Sequence, residues 1–188
     1  MSKLKFCLDM DGVCCDWVSA ALRTLGREEF IDNWTPGIKG IEALTGKPKS
    51  IFWTELESQG SQWWRDLEEY TWFRELYDLL ASEGDVVFCT SPNLDPSSLK
   101  GKVGWIQDRF DKFFRDYIIT NQKYHVAGPN TVLVDDNDKQ CANFKKHGGE
   151  YILFPQLWND THLDADAQQN KIKYVQNKIK EIKENKGF

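Results

Sequence analysis

At 188 residues the chain is long enough for one well-buried core with a modest inserted lobe, and too short for several independent domains. Its hydrophobic fraction of 40% and charged fraction of 28% exclude a repetitive, fibrous or wholly disordered protein. A net charge of -5 with a pI near 5.3 disfavours long nucleic acid as a partner but leaves room for a local basic pocket around one phosphate.

The start, Met1 to Lys5, is basic, but the apolar run behind it stops at Leu8, too short for a signal or membrane segment, so a cytoplasmic protein without membrane contact is expected. Leu4 to Leu8 reads as a buried strand. Asp9-Met10-Asp11-Gly12-Val13 follows at once, placing two carboxylates at the carboxyl end of that strand, where open α/β sheets bind ligands. A carboxylate there can attack phosphorus, and a second one two residues on can serve the leaving oxygen as acid and base. Gly12 lets the backbone turn away without a side-chain clash.

Residues 17–72 separate the first strand from the next by far more than a crossover needs. This segment holds Trp17, Trp34, Trp53, Trp63, Trp64 and Trp72, punctuated by Pro36, Gly37, Gly46, Pro48 and Gly60, and is expected to form a small helical cap. The expected core is then 1–16 together with 73–188.

Phe73, Leu76, Leu79 and Leu80 have helical spacing, and Val86 to Cys89 reads as the second strand. Thr90, Ser91 and Pro92 follow it, supplying hydroxyls and N–H groups suited to phosphate oxygens. Val103, Ile106, Phe110 and Phe113 mark another helix before a third strand at Tyr117 to Ile119, after which Lys123 brings a cation to the same sheet edge. The fourth strand, Thr131 to Val134, runs into Asp135, Asp136, Asn137 and Asp138. Adjacent acids at the end of an apolar strand repel one another, and Mg²⁺ is the economical counter-ion. A fifth strand at Tyr151 to Phe154 precedes an amphipathic tail helix on Ile172, Val175, Ile179 and Ile182, with Asp164 and Asp166 near its start and Lys178, Lys180 and Lys183 near its end. Strand and helix alternation implies a mostly parallel sheet covered on both faces.

Five cysteines without a CxxC pair read as reduced, buried thiols, and structural zinc is not expected.

The order of acid pair, hydroxyl, lysine and acid pair at four strand ends resembles the haloacid-dehalogenase-like (HAD) phosphohydrolases. Asp9 to Val13 matches the first motif, Thr90 the second, Lys123 the third and Asp135-Asp136 the fourth. Within that superfamily the chain is most similar to the 5′(3′)-deoxyribonucleotidases, through DMDGV at Asp9, CTSP at Cys89, Ile118-Ile119-Thr120 before Lys123, LVDDND at Leu133, and the spacing from Trp105 to Lys123. The resemblance implies an α/β fold, a Rossmann-like core with a helical cap inserted after the first strand. It implies that Asp9 forms an aspartyl-phosphate, Asp11 acts as acid and then base, Thr90 and Ser91 bind the phosphoryl group, and Lys123 steadies its charge. Magnesium would be held by the Asp9 carboxylate, the Asp11 carbonyl and an acid of the fourth motif, Asp136 in preference to Asp135.

For the cap the match is poor. Trp17 stands where a base-contacting aromatic follows the first motif, and Trp53, Trp63 and Trp64 are candidates by type and location. The substrate implied is a nucleoside monophosphate, with another small phosphoester or a polynucleotide end as the alternative, and a non-catalytic phospholigand or protein-binding module as the alternative of another class. Base, sugar and ester position are left open. An exposed part of the tryptophan-rich segment would suit a homodimer, which composition does not distinguish from a cap core.

Overall fold

The computed structural model describes residues 3–187, so residues 1–2 and 188, the ends of the expected core and part of the basic start, lie outside the described residues. Five strands form one sheet: β1 (Leu4–Leu8), β2 (Gly84–Thr90), β3 (Tyr117–Ile119), β4 (Thr131–Asp135) and β5 (Glu150–Leu153). All neighbours pair in parallel in the order β3-β2-β1-β4-β5, which puts β1 at the centre. Phe6, Cys7 and Leu8 are fully buried, as the near-continuous apolar run of a strand covered on both faces requires. The order reverses direction beside β1, and its carboxyl end therefore opens into the crevice where such sheets bind ligands.

The helices are α1 (Trp17–Thr24), α2 (Ile41–Thr45), α3 (Lys49–Glu57), α4 (Gly60–Arg65), α5 (Phe73–Glu83), α6 (Ser97–Arg109), α7 (Asp138–Lys146), α8 (Ala165–Gln169) and α9 (Lys171–Lys186). Local signals explain several boundaries. Asp16 caps α1 by accepting from Ser19 N (3.0 Å), and Asn137 caps α7 by accepting from Lys139 N and Gln140 N (3.0 and 3.2 Å).

Two expected helices differ in extent. The helix before β3 stops at Arg109, and Phe113 lies beyond it, 72% exposed, because Asp111 accepts from the Phe113 N–H (2.7 Å) in a turn that competes with helix. Asp164 and Asp166 do not lead the tail helix: Asp164 caps α8 by accepting from Ala167 N (2.9 Å), and α9 begins anew at Lys171. The apolar stripe of α9 buries Val175, Ile179 and Ile182 as the spacing predicts. All five cysteines are free and buried.

Between β1 and α5 the chain leaves and returns side by side, with Asp16 N donating to Glu68 O (2.8 Å) and Tyr70 N to Cys14 O (3.0 Å). Within the excursion, Val18, Ala21, Leu22, Leu25, Trp34, Ile41, Phe52 and Leu56 form a cluster of their own. Trp64 and Leu67 instead join the main core, with Phe73, Phe88 and Trp105. There α4 lies hard against α6: a β-carbon on Gly101 would stand 2.3 Å from Trp64 Cβ, so only glycine admits this approach. Trp105 is fully buried and donates its indole N–H to Leu67 O (2.7 Å), which satisfies its one polar atom while the ring contributes about 1.5–3 kcal/mol of burial.

Candidate active site

The loop after β1 is wound on one carbonyl: the N–H groups of Val13, Cys14 and Cys15 all donate to Met10 O (3.2, 2.7 and 3.0 Å). Gly12 makes the bend possible with φ of +77°. A β-carbon there would also lie 2.2 Å from Asp136 Oδ2, so the glycine is what allows the acids of β1 and β4 to approach. Asp9, Asp135 and Asp136 each bring a carboxylate oxygen within 4.8 Å of the others.

Lys123, fully buried in the short turn after β3, donates to Asp9 Oδ1 (2.7 Å) and Asp135 Oδ2 (2.6 Å). Burial alone would lower its pKa, but the carboxylates of Asp135 and Asp9 outweigh that and raise it above the usual lysine value. Asp135 is pushed up to about 6, because burial and the Asp9 charge outweigh the relief from Lys123. Its other oxygen accepts from Asn137 N (2.8 Å). The Asp136 carboxyl is raised well above the ordinary value, by burial first and then by Asp135 and Asp9. Asp9 and Asp135 thus share one ammonium while Asp136 adds a third carboxyl beside them, an excess of negative charge on ionisation that a hard divalent cation with oxygen ligands would neutralise. The donor set fits Mg²⁺.

A second buried lysine completes the floor, and it is absent from the residues that the sequence motifs single out. Lys102 of α6 donates to Asp11 Oδ2 (2.6 Å), Thr90 Oγ1 (2.9 Å) and Ser91 O (2.6 Å), which uses all three of its protons. Its signal was present in weak form: Ser98, Gly101, Lys102, Trp105 and Ile106 make the buried stripe of α6, so the lysine stands on an apolar face. The expected stripe of Val103, Ile106, Phe110 and Phe113 shares only Ile106 with it.

These groups open into a cleft of about 960 Å³, a size suited to a small-molecule ligand. Asp9, Asp11, Ser91, Lys123, Asp135 and Asp136 line it, while Thr90 is fully buried just behind. Trp17, Trp53 and Trp64 are on its wall, with Trp17 and Trp53 tilted against each other at 5.9 Å. Trp63 is not among the lining residues: its ring packs edge-on against Trp64 and its N–H donates to Thr24 Oγ1 (3.0 Å). Trp34 and Trp158 line the cleft without having been singled out. Nothing in the local sequence around Trp158 marks it; only the loop after β5 brings it back to the strand tips.

Residues 3–179 match the profile of the family described as 5′ nucleotidase, deoxy (pyrimidine), cytosolic type C protein (NT5C). No curated protein matches the chain. Among solved structures, a HAD family hydrolase from Deinococcus radiodurans R1 with bound phosphate and sodium is similar at 12% identity, over 92% of this chain and 97% of that one, with a TM-score of 0.50. A HAD-hydrolase, YfnB, from Bacillus subtilis bound to magnesium gives 13% identity over 80% and 86%, with a TM-score of 0.49. A HAD family enzyme from Bacteroides thetaiotaomicron in complex with magnesium and inorganic phosphate gives 16% over 86% and 99%, with a TM-score of 0.44. The likeness to the first of these is one of α/β fold alone. Among the described residues no helix is long and apolar enough to cross a membrane.

Proposed function

The chain belongs to the 5′ nucleotidase, deoxy (pyrimidine), cytosolic type C family, a phosphoric monoester hydrolase, and from that premise we propose that it is a magnesium-dependent 5′(3′)-deoxyribonucleotidase of the cytoplasm acting through Asp9. The observation that carries the reading is the meeting of Asp9, Asp11, Lys102, Lys123, Asp135 and Asp136 at one end of the sheet, under a cleft walled by Trp17 and Trp53.

Lys123 sits on Asp9 Oδ1, which leaves Oδ2 as the oxygen to attack phosphorus in line. The bond from phosphorus to the ester oxygen breaks as the bond to Asp9 forms, and Asp11 gives a proton to the departing alcohol. Asp11 then takes a proton from the water that attacks the aspartyl-phosphate, releasing inorganic phosphate and restoring Asp9. Lys102 holds Asp11 Oδ2, fixing the orientation of that carboxyl toward the leaving group, and holds Thr90 and the Ser91 carbonyl in the same grip. In this reading Ser91, which lines the cleft, and Thr90, buried just behind it, receive phosphoryl oxygens. Mg²⁺, held by the carboxylates of Asp9 and Asp136 and the Asp11 carbonyl, would supply charge neutralisation and a template for the phosphoryl group.

Residues 17–72 serve as the cap in this reading, closing over the ester and excluding water. Trp17 and Trp53 offer ring faces for a base, worth about 1–3 kcal/mol in stacking, enough to prefer nucleotides over bare phosphoesters.

The test is phosphate release from deoxy- and ribonucleoside 5′- and 3′-monophosphates and from simple sugar phosphates, with and without Mg²⁺, beside Asp9→Asn. Metal-dependent release that favours deoxynucleotides and drops to background in the variant is expected. Preference for sugar phosphates would discard the substrate and keep the aspartate chemistry; turnover retained by Asp9→Asn would remove Asp9 from the role of nucleophile.

A further inference from the structure

The loop after β5 reaches back over the strand tips and grips both acidic turns. Gln156 donates through its side-chain amide to Gly12 O (2.5 Å), in the turn between Asp11 and Val13. Fully buried Asn159 donates to Asp136 O (2.8 Å) and to Phe154 O (2.8 Å), tying the turn after β4 to the end of β5. Between them Trp158 donates its indole N–H to the side chain of Asp136, at Oδ2 (2.6 Å). The same ring is packed at the Gly12 turn, where a β-carbon would meet Trp158 Cζ2 at 3.2 Å.

The inserted segment also meets the Trp158 ring and the loop that carries it. Trp34 packs against it at 5.2 Å and 60°, bringing only its ring, since its own buried N–H has no partner among the described residues. Gly37 N donates to Leu157 O (2.8 Å), and Lys39 pairs with Asp138 Oδ2 and Asp160 Oδ1 (2.9 and 2.7 Å). The indole is therefore clamped between the inserted segment and the acid cluster.

We propose that Trp158 is a positioning residue: its N–H occupies Oδ2 of Asp136 and turns Oδ1 toward Asp9 and Asp135, and Trp34 holds the indole in place so that the inserted segment supports the cation-binding geometry. The proposal rests on the reading of Asp136 as a ligand for Mg²⁺. Partners that orient a ligating carboxylate typically change metal affinity by 10–100-fold when removed.

Isothermal titration of the metal-free full chain with Mg²⁺ alone tests this without any turnover. Trp158→Phe keeps an aromatic ring and loses the donor; it should weaken Mg²⁺ binding by about 10-fold or more. Its thermal midpoint in EDTA shows whether packing has also suffered. If that midpoint falls, benzothienylalanine placed at 158, which replaces the N–H with sulfur in a ring of nearly the same shape, takes the place of phenylalanine and should show the same loss. Trp34→Leu should show a smaller loss in the same direction. Wild type and Asp136→Asn run alongside. Tight binding by wild type, weakened in Asp136→Asn but unchanged in the Trp158 variants, overturns the proposal and leaves the metal reading standing. Failure of wild type to bind Mg²⁺, or indifference to Asp136→Asn, removes the metal reading and the proposal with it.

Discussion

Two buried lysines stand under the cleft, and their surroundings divide the site into unlike halves. Lys123 serves two carboxylates, Asp9 and Asp135, in a setting where both the cation and Asp135 are closed to water. Lys102 serves one carboxylate, Asp11, whose side chain is 26% exposed, and spends its other protons on Thr90 and the Ser91 carbonyl. The Lys123 half is an electrostatic knot in which charge has nowhere else to go. The Lys102 half leaves its acid open to solvent, which suits the proton-exchanging role proposed for Asp11. With a lysine on each side, burial of the acid is what separates the two halves.

The sharpest way to break this comparison is to remove each ammonium. Lys123→Met leaves two buried carboxylates facing each other and should destabilise the metal-free protein by about 3–5 kcal/mol, read by urea unfolding in EDTA. Added Mg²⁺ should recover part of that loss. Lys102→Met should cost only about 1–3 kcal/mol, since Asp11 can turn to water, yet kcat should fall about 10²-fold through loss of orientation. Equal stability losses in the two variants would show that the halves are not electrostatically distinct.

Gly12→Ala strikes the Lys123 half from its other side. The left-handed backbone should cost about 1–2 kcal/mol, and the new methyl group must displace the Asp136 carboxylate. Unchanged stability and unchanged Mg²⁺ affinity by calorimetry would mean that the acids of β1 and β4 need no such close approach.

A third lysine supplies the smallest effect and the control. Lys171 is partly buried with only Pro155 O (2.6 Å) and Gln168 Oε1 (3.0 Å) as hydrogen-bond partners among the described residues, and burial lowers its pKa to about 8. Its unfolded value is about 10.5, so the native state holds fewer protons than the unfolded state between these limits. Stability from this group is therefore present above about pH 10.5 and lost as pH falls through about 8. The melting temperature of wild type relative to Lys171→Met should rise between pH 7.5 and 10.5, on the order of 1–3 °C after allowance for solvent screening. A flat difference would show that Lys171 keeps its proton, and that carboxylates are not what sets Lys123 apart from it.

Much of this organisation was legible along the chain, because the relevant signals are local. Five apolar runs of strand length, four of them followed within a few residues by Asp, Thr or Lys, are enough to read a parallel sheet and the chemistry of its edge, since consecutive strands in such a sheet all end on the same side. The acids at 9, 11, 135 and 136 and Lys123 were readable for that reason. Lys102, Trp158 and Asn159 were not, because their partners at the strand ends lie 11 to 91, 22 and 5 to 23 residues away in sequence, and no periodicity encodes a contact between a helix face or a return loop and a strand tip. Tryptophan content likewise revealed an unusual segment without assigning its members: Trp53 faces the cleft, Trp63 bonds Thr24, and Trp64 fills the main core. Sequence alone determined the five strands and the charged groups that directly follow their ends, since propensity and alternation act over a few residues. Tertiary structure decided which ammonium neutralises which acid and which aromatics remain open to a ligand, because those outcomes depend on burial and on distances between segments far apart in the chain.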